Sequence, residues 1–105
     1  MLSHYNVISN IDAMAQVFPV DASDRVVGVL PLFHSFGFTV TVWFPLLRGC
    51  GAVYHPNPMD ATEIGKLVAR HRGTFLLSTP TFCGTYIRKC EKQDFASLRF
   101  VLVGA

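Results

Sequence analysis

The sequence predicts an α/β fold: a doubly wound, mainly parallel four-stranded sheet with helices on both faces, forming part of a larger domain. Three observations point there. Short apolar runs rich in Val, Leu or Phe alternate with segments whose apolar residues recur at helical spacing. The first run, Val26-Val27-Gly28-Val29-Leu30, has no polar alternation, as expected of a strand covered on both faces. Helix start and stop signals fall between the runs, where the crossovers of right-handed βαβ units need them.

Val7, Ile8, Ile11, Met14, Ala15 and Phe18 form a helical stripe after Ser3, a suitable N-cap, and Pro19 stops it. Val20 to Asp24 is polar turn material leading into the first strand. Phe36 to Leu47 reads as a helix apolar all round and therefore buried, with Pro45 near its end and Gly49 and Gly51 terminating it. Ala52-Val53-Tyr54 is a second strand ending at His55-Pro56. Asp60-Ala61-Thr62-Glu63 has capping-box spacing with aspartate as the cap. Ile64, Leu67, Val68 and His71 follow on one face, and Gly73 is the expected stop.

Thr74 to Ser78 is the third strand. Thr79-Pro80 opens the next helix with a threonine cap and proline at the first helical position, and Phe82, Tyr86, Ile87 and Cys90 mark its buried face. Arg99 to Val103 is the fourth strand. The strand order expected from this succession is 2-1-3-4.

Composition limits the function. Of 105 residues, 50% are hydrophobic and only 15% charged, against about 25% charged in an ordinary soluble domain. A chain this size buries only about two-thirds of its unfolded surface, so part of that apolar content is expected to face outward. Together with the apolar final run, this predicts a piece of a larger domain that self-associates in isolation. A net charge of +2, evenly scattered, argues against a nucleic-acid partner. Cys50, Cys83 and Cys90 lack C-x-x-C spacing and read as reduced thiols of a cytosolic protein, Cys83 and Cys90 packing as small hydrophobes. His4, His55 and His71 have no ligand spacing, so no metal site is expected.

Chemistry is expected where the strands end. Pro31 to His34 follow the first strand, His55-Pro56 the second, Ser78-Thr79-Pro80 the third and Gly104-Ala105 the fourth. In a parallel sheet these share one edge, and ligands of open α/β sheets bind outside the carboxyl ends of the strands. His34 there is free to donate to a carboxylate or to hold a loop. Thr79 is read as either a helix cap or a ligand contact. Two other classes fit the pattern less well. A receiver-like module needs an acidic cluster where this chain has Pro31, Phe33 and His34. A non-catalytic interaction module would pair through an exposed sheet edge.

Val29-Leu30-Pro31-Leu32-Phe33-His34-Ser35-Phe36-Gly37 resembles the P-L-F-H-x-x-G segment of the acyl-adenylate-forming (AMP-binding) superfamily. Leu2-Ser3-His4-Tyr5-Asn6 resembles the L-S-H-x-N after that family's phosphate loop, Thr79-Pro80-Thr81 its P-T/P segment, and Phe100 to Ala105 the strand entering its adenine-binding turn. The character of Phe33 to Phe38 and of Gly104-Ala105 is closest to the long-chain acyl-CoA or acyl-ACP synthetase branch, including enzymes fused to a lysophospholipid acyltransferase.

The resemblance implies an AMP-forming acid–thiol ligase. ATP with Mg activates a fatty acid, and CoA or acyl-carrier protein then takes the acyl group, in a cytoplasmic enzyme for which membrane association is left open. It implies a catalytic role for His34 beside the substrate carboxylate, substrate contacts from Phe33, Phe36, Gly37 and Thr79, and cofactor contacts from Gly104 and Ala105. The family's phosphate loop, magnesium-binding Thr-Glu segment, ribose-binding aspartate and catalytic lysine have no counterpart in this sequence, so the chain alone is expected to be inactive.

Overall fold

The computed structural model describes residues 1–104. Helix α1 (His4–Val17) is followed by strand β1 (Arg25–Gly28). A continuous helical run comes next: α2 (Ser35–Gly37), a π-helical stretch over Phe38–Trp43, and α3 (Phe44–Arg48). Then come β2 (Gly51–Tyr54), α4 (Ala61–His71), β3 (Phe75–Ser78), α5 (Pro80–Lys89), a 3-10 turn over Lys92–Phe95, and β4 (Phe100–Val103). The strands form one parallel sheet in the order β2-β1-β3-β4, as the sequence predicts.

Alternate residues of the central strands feed two cores. Val26 on β1 with Phe75 and Leu77 on β3 face α1 and the α2–α3 run, where Ile11, Val40 and Phe44 meet them. Val27 and Leu76 face α4 and α5, against Ala61, Ile64, Val68 and Tyr86. The register Val26↔Phe75 and Val27↔Leu76 keeps each pair on one face. Phe44 and Phe75 are fully buried with ring centroids 5.9 Å apart, and each such side chain contributes about 1.5–3 kcal/mol of transfer free energy.

Local signals act largely as expected at the first helix. The Ser3 hydroxyl accepts the Asn6 N–H at 3.2 Å, and the Asn6 side chain accepts the Ser3 N–H at 2.9 Å. Ile11 is the only buried residue of α1, and Ile8 of the anticipated stripe is exposed. At α5 the Thr79 hydroxyl accepts the Phe82 N–H, so Thr79 is a cap.

Several expectations need correction. The run after His34 is not buried all round: Phe38, Leu46 and Leu47 are exposed, while Val40, Thr41, Phe44 and Pro45 are buried. It is also not one regular α-helix. Pro45 has no N–H to give the carbonyl of Thr41 four residues back, and the ladder there widens, Phe44 N–H reaching Thr39. The Tyr54 hydroxyl donates to the Thr41 carbonyl at 2.5 Å.

Gly49 ends the run in the left-handed region at φ 72°, but Gly51 is the first residue of β2 and has no stop role. Asp60 makes no side-chain cap bond, and its carboxylate instead lies 3.6 Å from His55 Nε2. The left-handed stop of α4 is Arg72 at φ 52°. Gly73 serves close packing, because a Cβ there would stand 2.5 Å from Val27 Cγ2. On α5, Tyr86 is buried as expected, whereas Ile87 is exposed.

Candidate functional site

Strand β1 runs outward from the centre toward β2 through the α2–α3 side, and β3 runs toward β4 through the opposite side. The winding therefore reverses between β1 and β3. Such a switch point leaves a crevice between the two carboxyl ends. The loop after β1 carries Phe33 and His34, and the loop after β3 carries Thr79.

His34 is held by backbone on both sides. Its N–H donates to the Pro31 carbonyl at 3.2 Å, and its carbonyl accepts the Phe38 N–H at 2.9 Å. Its ring Nδ1 accepts the Phe36 N–H at 3.2 Å. With Nδ1 accepting, Nε2 is the ring nitrogen left to donate, and the side chain is exposed at the sheet edge. Gly37 is buried behind it, where a Cβ would stand 2.5 Å from the Pro31 carbonyl oxygen. The turn and the first helical residues are packed directly on one another.

Phe36 crosses to the far strand. A Cβ on Gly104 would meet Phe36 Cζ at 3.2 Å, so this ring lies over the backbone leaving β4. The Gly104 N–H donates to the Ser78 carbonyl at 3.2 Å and carries the β3–β4 ladder beyond Val103. Thr79 follows Ser78 on that edge, half-buried, its oxygen engaged by Phe82 N–H. Phe36, Gly104 and the Ser78-Thr79 segment thus form one group next to His34. Ala105 lies outside the described residues.

Phe33 goes the other way. It is 94% exposed and borders a recess of about 390 Å³ at the β1–β2 ends, with Gly28, Pro31, Tyr54 and His55. The structure therefore separates Phe33 from Phe36. A second cavity of about 440 Å³, mainly apolar, lies between α1 and the helical run and is lined by Leu2, Val7, Ile8, Phe38, Trp43 and Leu47. Phe38 and Trp43 stack edge to face there at 5.9 Å.

The electrostatics disfavour other catalytic groups. Burial pushes the Cys50 and Cys90 thiols up, away from reactive thiolates, and lifts the Tyr86 phenol to about 12. Among the described residues, no group of three or more His, Cys, Asp or Glu stands together. The donor set at this edge therefore does not fit a magnesium ion, and no step is assigned to metal here. Among the described residues, no helix is long and apolar enough to cross a membrane.

Sequence reasoning missed the residues beneath this site. Thr41 Oγ1 donates to the Gly37 carbonyl at 2.6 Å, and Tyr54 bonds the Thr41 carbonyl. The legible signal was Pro45, whose missing N–H leaves a carbonyl one turn earlier in need of an outside donor.

Comparison with known proteins places this edge in context. The sulfoacetate–CoA ligase of Cupriavidus necator is 31% identical over 95% of this chain, and the long-chain-fatty-acid–CoA ligase of Bacillus subtilis is 27% identical over all of it. The chain spans about a fifth of the length of these curated relatives, 19% of each. The ATP-bound structure of MatB from Rhodopseudomonas palustris superimposes with a TM-score of 0.89 at 26% identity, covering 100% of this chain and 21% of that one. A model of the AMP-binding enzymes matches residues 1–105, the whole sequence, so this chain belongs to the AMP-binding enzyme family.

Proposed function

We propose that the chain is part of the large N-terminal domain of an ATP-dependent, AMP-forming acid–thiol ligase, and that its strand-end edge forms one wall of the acid and nucleotide cleft. The observation that carries the reading is an exposed His34 with its proton on Nε2 at the switch point of a chain matched throughout by the AMP-binding family.

In the first half-reaction a carboxylate oxygen attacks the α-phosphorus of ATP, the bond to the β-phosphate bridge breaks, and pyrophosphate leaves. A thiol then attacks the acyl carbonyl and AMP departs. His34 Nε2–H is suited to hydrogen-bond the carboxylate and hold it for in-line attack, a contribution of positioning and charge. Phe36 and Gly37 border the acid, Thr79 offers its hydroxyl from the β3 loop, and the backbone at Gly104 and Ala105 receives the adenine. The phosphates and metal require groups from other parts of the protein.

The acid is proposed to be a fatty acid and the acceptor CoA or acyl-carrier protein. Support comes from the apolar cavity at Phe38 and Trp43 and from the exposed Phe33. The proposal does not extend to a fused acyltransferase.

The test is ATP–pyrophosphate exchange by the full-length protein, with straight-chain fatty acids, aromatic acids and short polar acids offered in turn. Exchange with fatty acids is expected. Exchange only with aromatic or polar acids overturns the substrate class, and exchange with none overturns the ligase reading.

A further inference from the structure

We infer that Tyr54 and Thr41 are the positioning pair that sets where His34 and Phe36 stand at the sheet edge, and hence how tightly the acid substrate is held. The inference rests on the ligase reading above.

The argument begins with Pro45. An α-helical ladder would fill the carbonyl of Thr41 with the N–H of residue 45, and proline has none. Thr41 is fully buried, so water is a poor substitute. Tyr54, the last residue of β2, supplies the donor across the helix–sheet interface at 2.5 Å. Its ring is fixed by the backbone of β1, since a Cβ on Gly28 would stand 2.7 Å from Tyr54 Cδ1 and 3.0 Å from Thr41 Cβ. The sheet thus grips the helical run at one defined point.

From that point a hydrogen-bonded path leads to the site. Thr41 Oγ1 donates to the Gly37 carbonyl at 2.6 Å, one turn back toward His34. Gly37 is seated on the Pro31 carbonyl, which also accepts the His34 N–H at 3.2 Å. Residues 34 to 37 are therefore held from below by the Pro31 turn and from behind by Thr41. The π-helical stretch Phe38–Trp43 connects this contact to the turn at His34, so loss of the Tyr54 bond removes one of the two restraints on residues 34 to 38.

The test uses the full-length protein with Tyr54→Phe, which keeps the ring and removes the hydroxyl, and Thr41→Val, which keeps the shape and removes Oγ1. Both are expected to raise KM for the acid about tenfold while KM for ATP changes less than twofold. Thr41→Ser, which retains the hydroxyl, is expected to restore the wild-type KM. A variant that merely loosens the fold moves both KM values together and is not rescued by serine. An active wild type whose two variants keep KM for the acid, or raise both KM values equally, overturns the positioning role alone. A wild type without exchange toward any acid overturns the ligase reading, and this assignment with it.

Discussion

Asp24 offers the sharpest quantitative test of how this sheet is held together. Its carboxylate is 1% exposed, and Arg99 Nη1 stands 2.8 Å from each of its oxygens. The Asp21 N–H adds a third contact at 2.9 Å. The pair joins the turn before β1 to the start of β4, across the sheet end opposite the candidate site. Burial alone would push the Asp24 carboxyl up; the Thr74 hydroxyl, the Asp21 N–H and the Arg99 guanidinium together outweigh it and hold the carboxyl below its usual range. Removing one partner of a pair buried on both sides costs about 3–5 kcal/mol. Here Arg99 is 46% exposed and rehydrates when freed, so that figure is a ceiling. Hydrogen bonds to charged groups contribute about 1.5–3 kcal/mol, and Asp24→Asn should cost about 2 kcal/mol at pH 7. For a domain of this size that lowers Tm by about 8–16 °C. A depressed folded pKa means the stabilisation is present above the unfolded value near pH 4 and is lost as pH falls through the folded value. Wild type should therefore lose stability steeply below about pH 4, and Asp24→Asn should show a shallower decline, since only the Asp21 carboxyl among the groups with lowered pKa still titrates there. Thermal unfolding of both proteins at pH 7 and pH 3 reads the difference. Equal melting at pH 7, or parallel losses at pH 3, would refute the argument.

Gly73→Ala forces a methyl to 2.5 Å from Val27 Cγ2 between two buried residues and should destabilise by about 1–3 kcal/mol; an unchanged melt would show that Val27 gives way. In the full-length protein, His34→Ala should lower the rate of ATP–pyrophosphate exchange by about 10²-fold, and exchange at the wild-type rate would remove His34 from the chemistry. The isolated chain exposes Leu2, Tyr5, Phe33 and Ile87, so it should self-associate at micromolar concentration and show no exchange activity. A clean monomer by light scattering, or measurable exchange, would count against these two expectations respectively.

The strands and their order were legible because apolar runs without alternation belong in the middle of a parallel sheet, and Val26 to Gly28 and Phe75 to Ser78 are buried on both faces. In the structure β4, an edge strand, alternates half-buried and exposed residues. What failed were some inferences about which partner a side chain prefers. Asp60 had the spacing of a cap, yet its carboxylate makes no cap bond and lies 3.6 Å from His55 Nε2. Ile87 had the period of a core residue, but it is exposed, and among the described residues no element covers it. Strand ends identified the edge where His34, Thr79 and Gly104 lie, but spacing alone did not distinguish Phe33, which turns to the β2 side, from Phe36, which reaches β4.

Pro45 shows how a composition-level signal becomes structural when hydrogen-bond donors are followed instead of apolar periods. As a hydrophobe it only marks the late part of an apolar stretch. As a residue without an N–H, it leaves one buried carbonyl at Thr41, and a donor must come from another element. Strand β2 ends in a tyrosine, and a phenol is long enough to cross from sheet to helix. The same accounting links the helical run to β2, a contact that apolar periodicity does not show. It also separates two roles that hydrophobicity merges. Phe36 packs on the backbone at Gly104, whereas Thr41 and Tyr54 bond the helical run to β2 behind it.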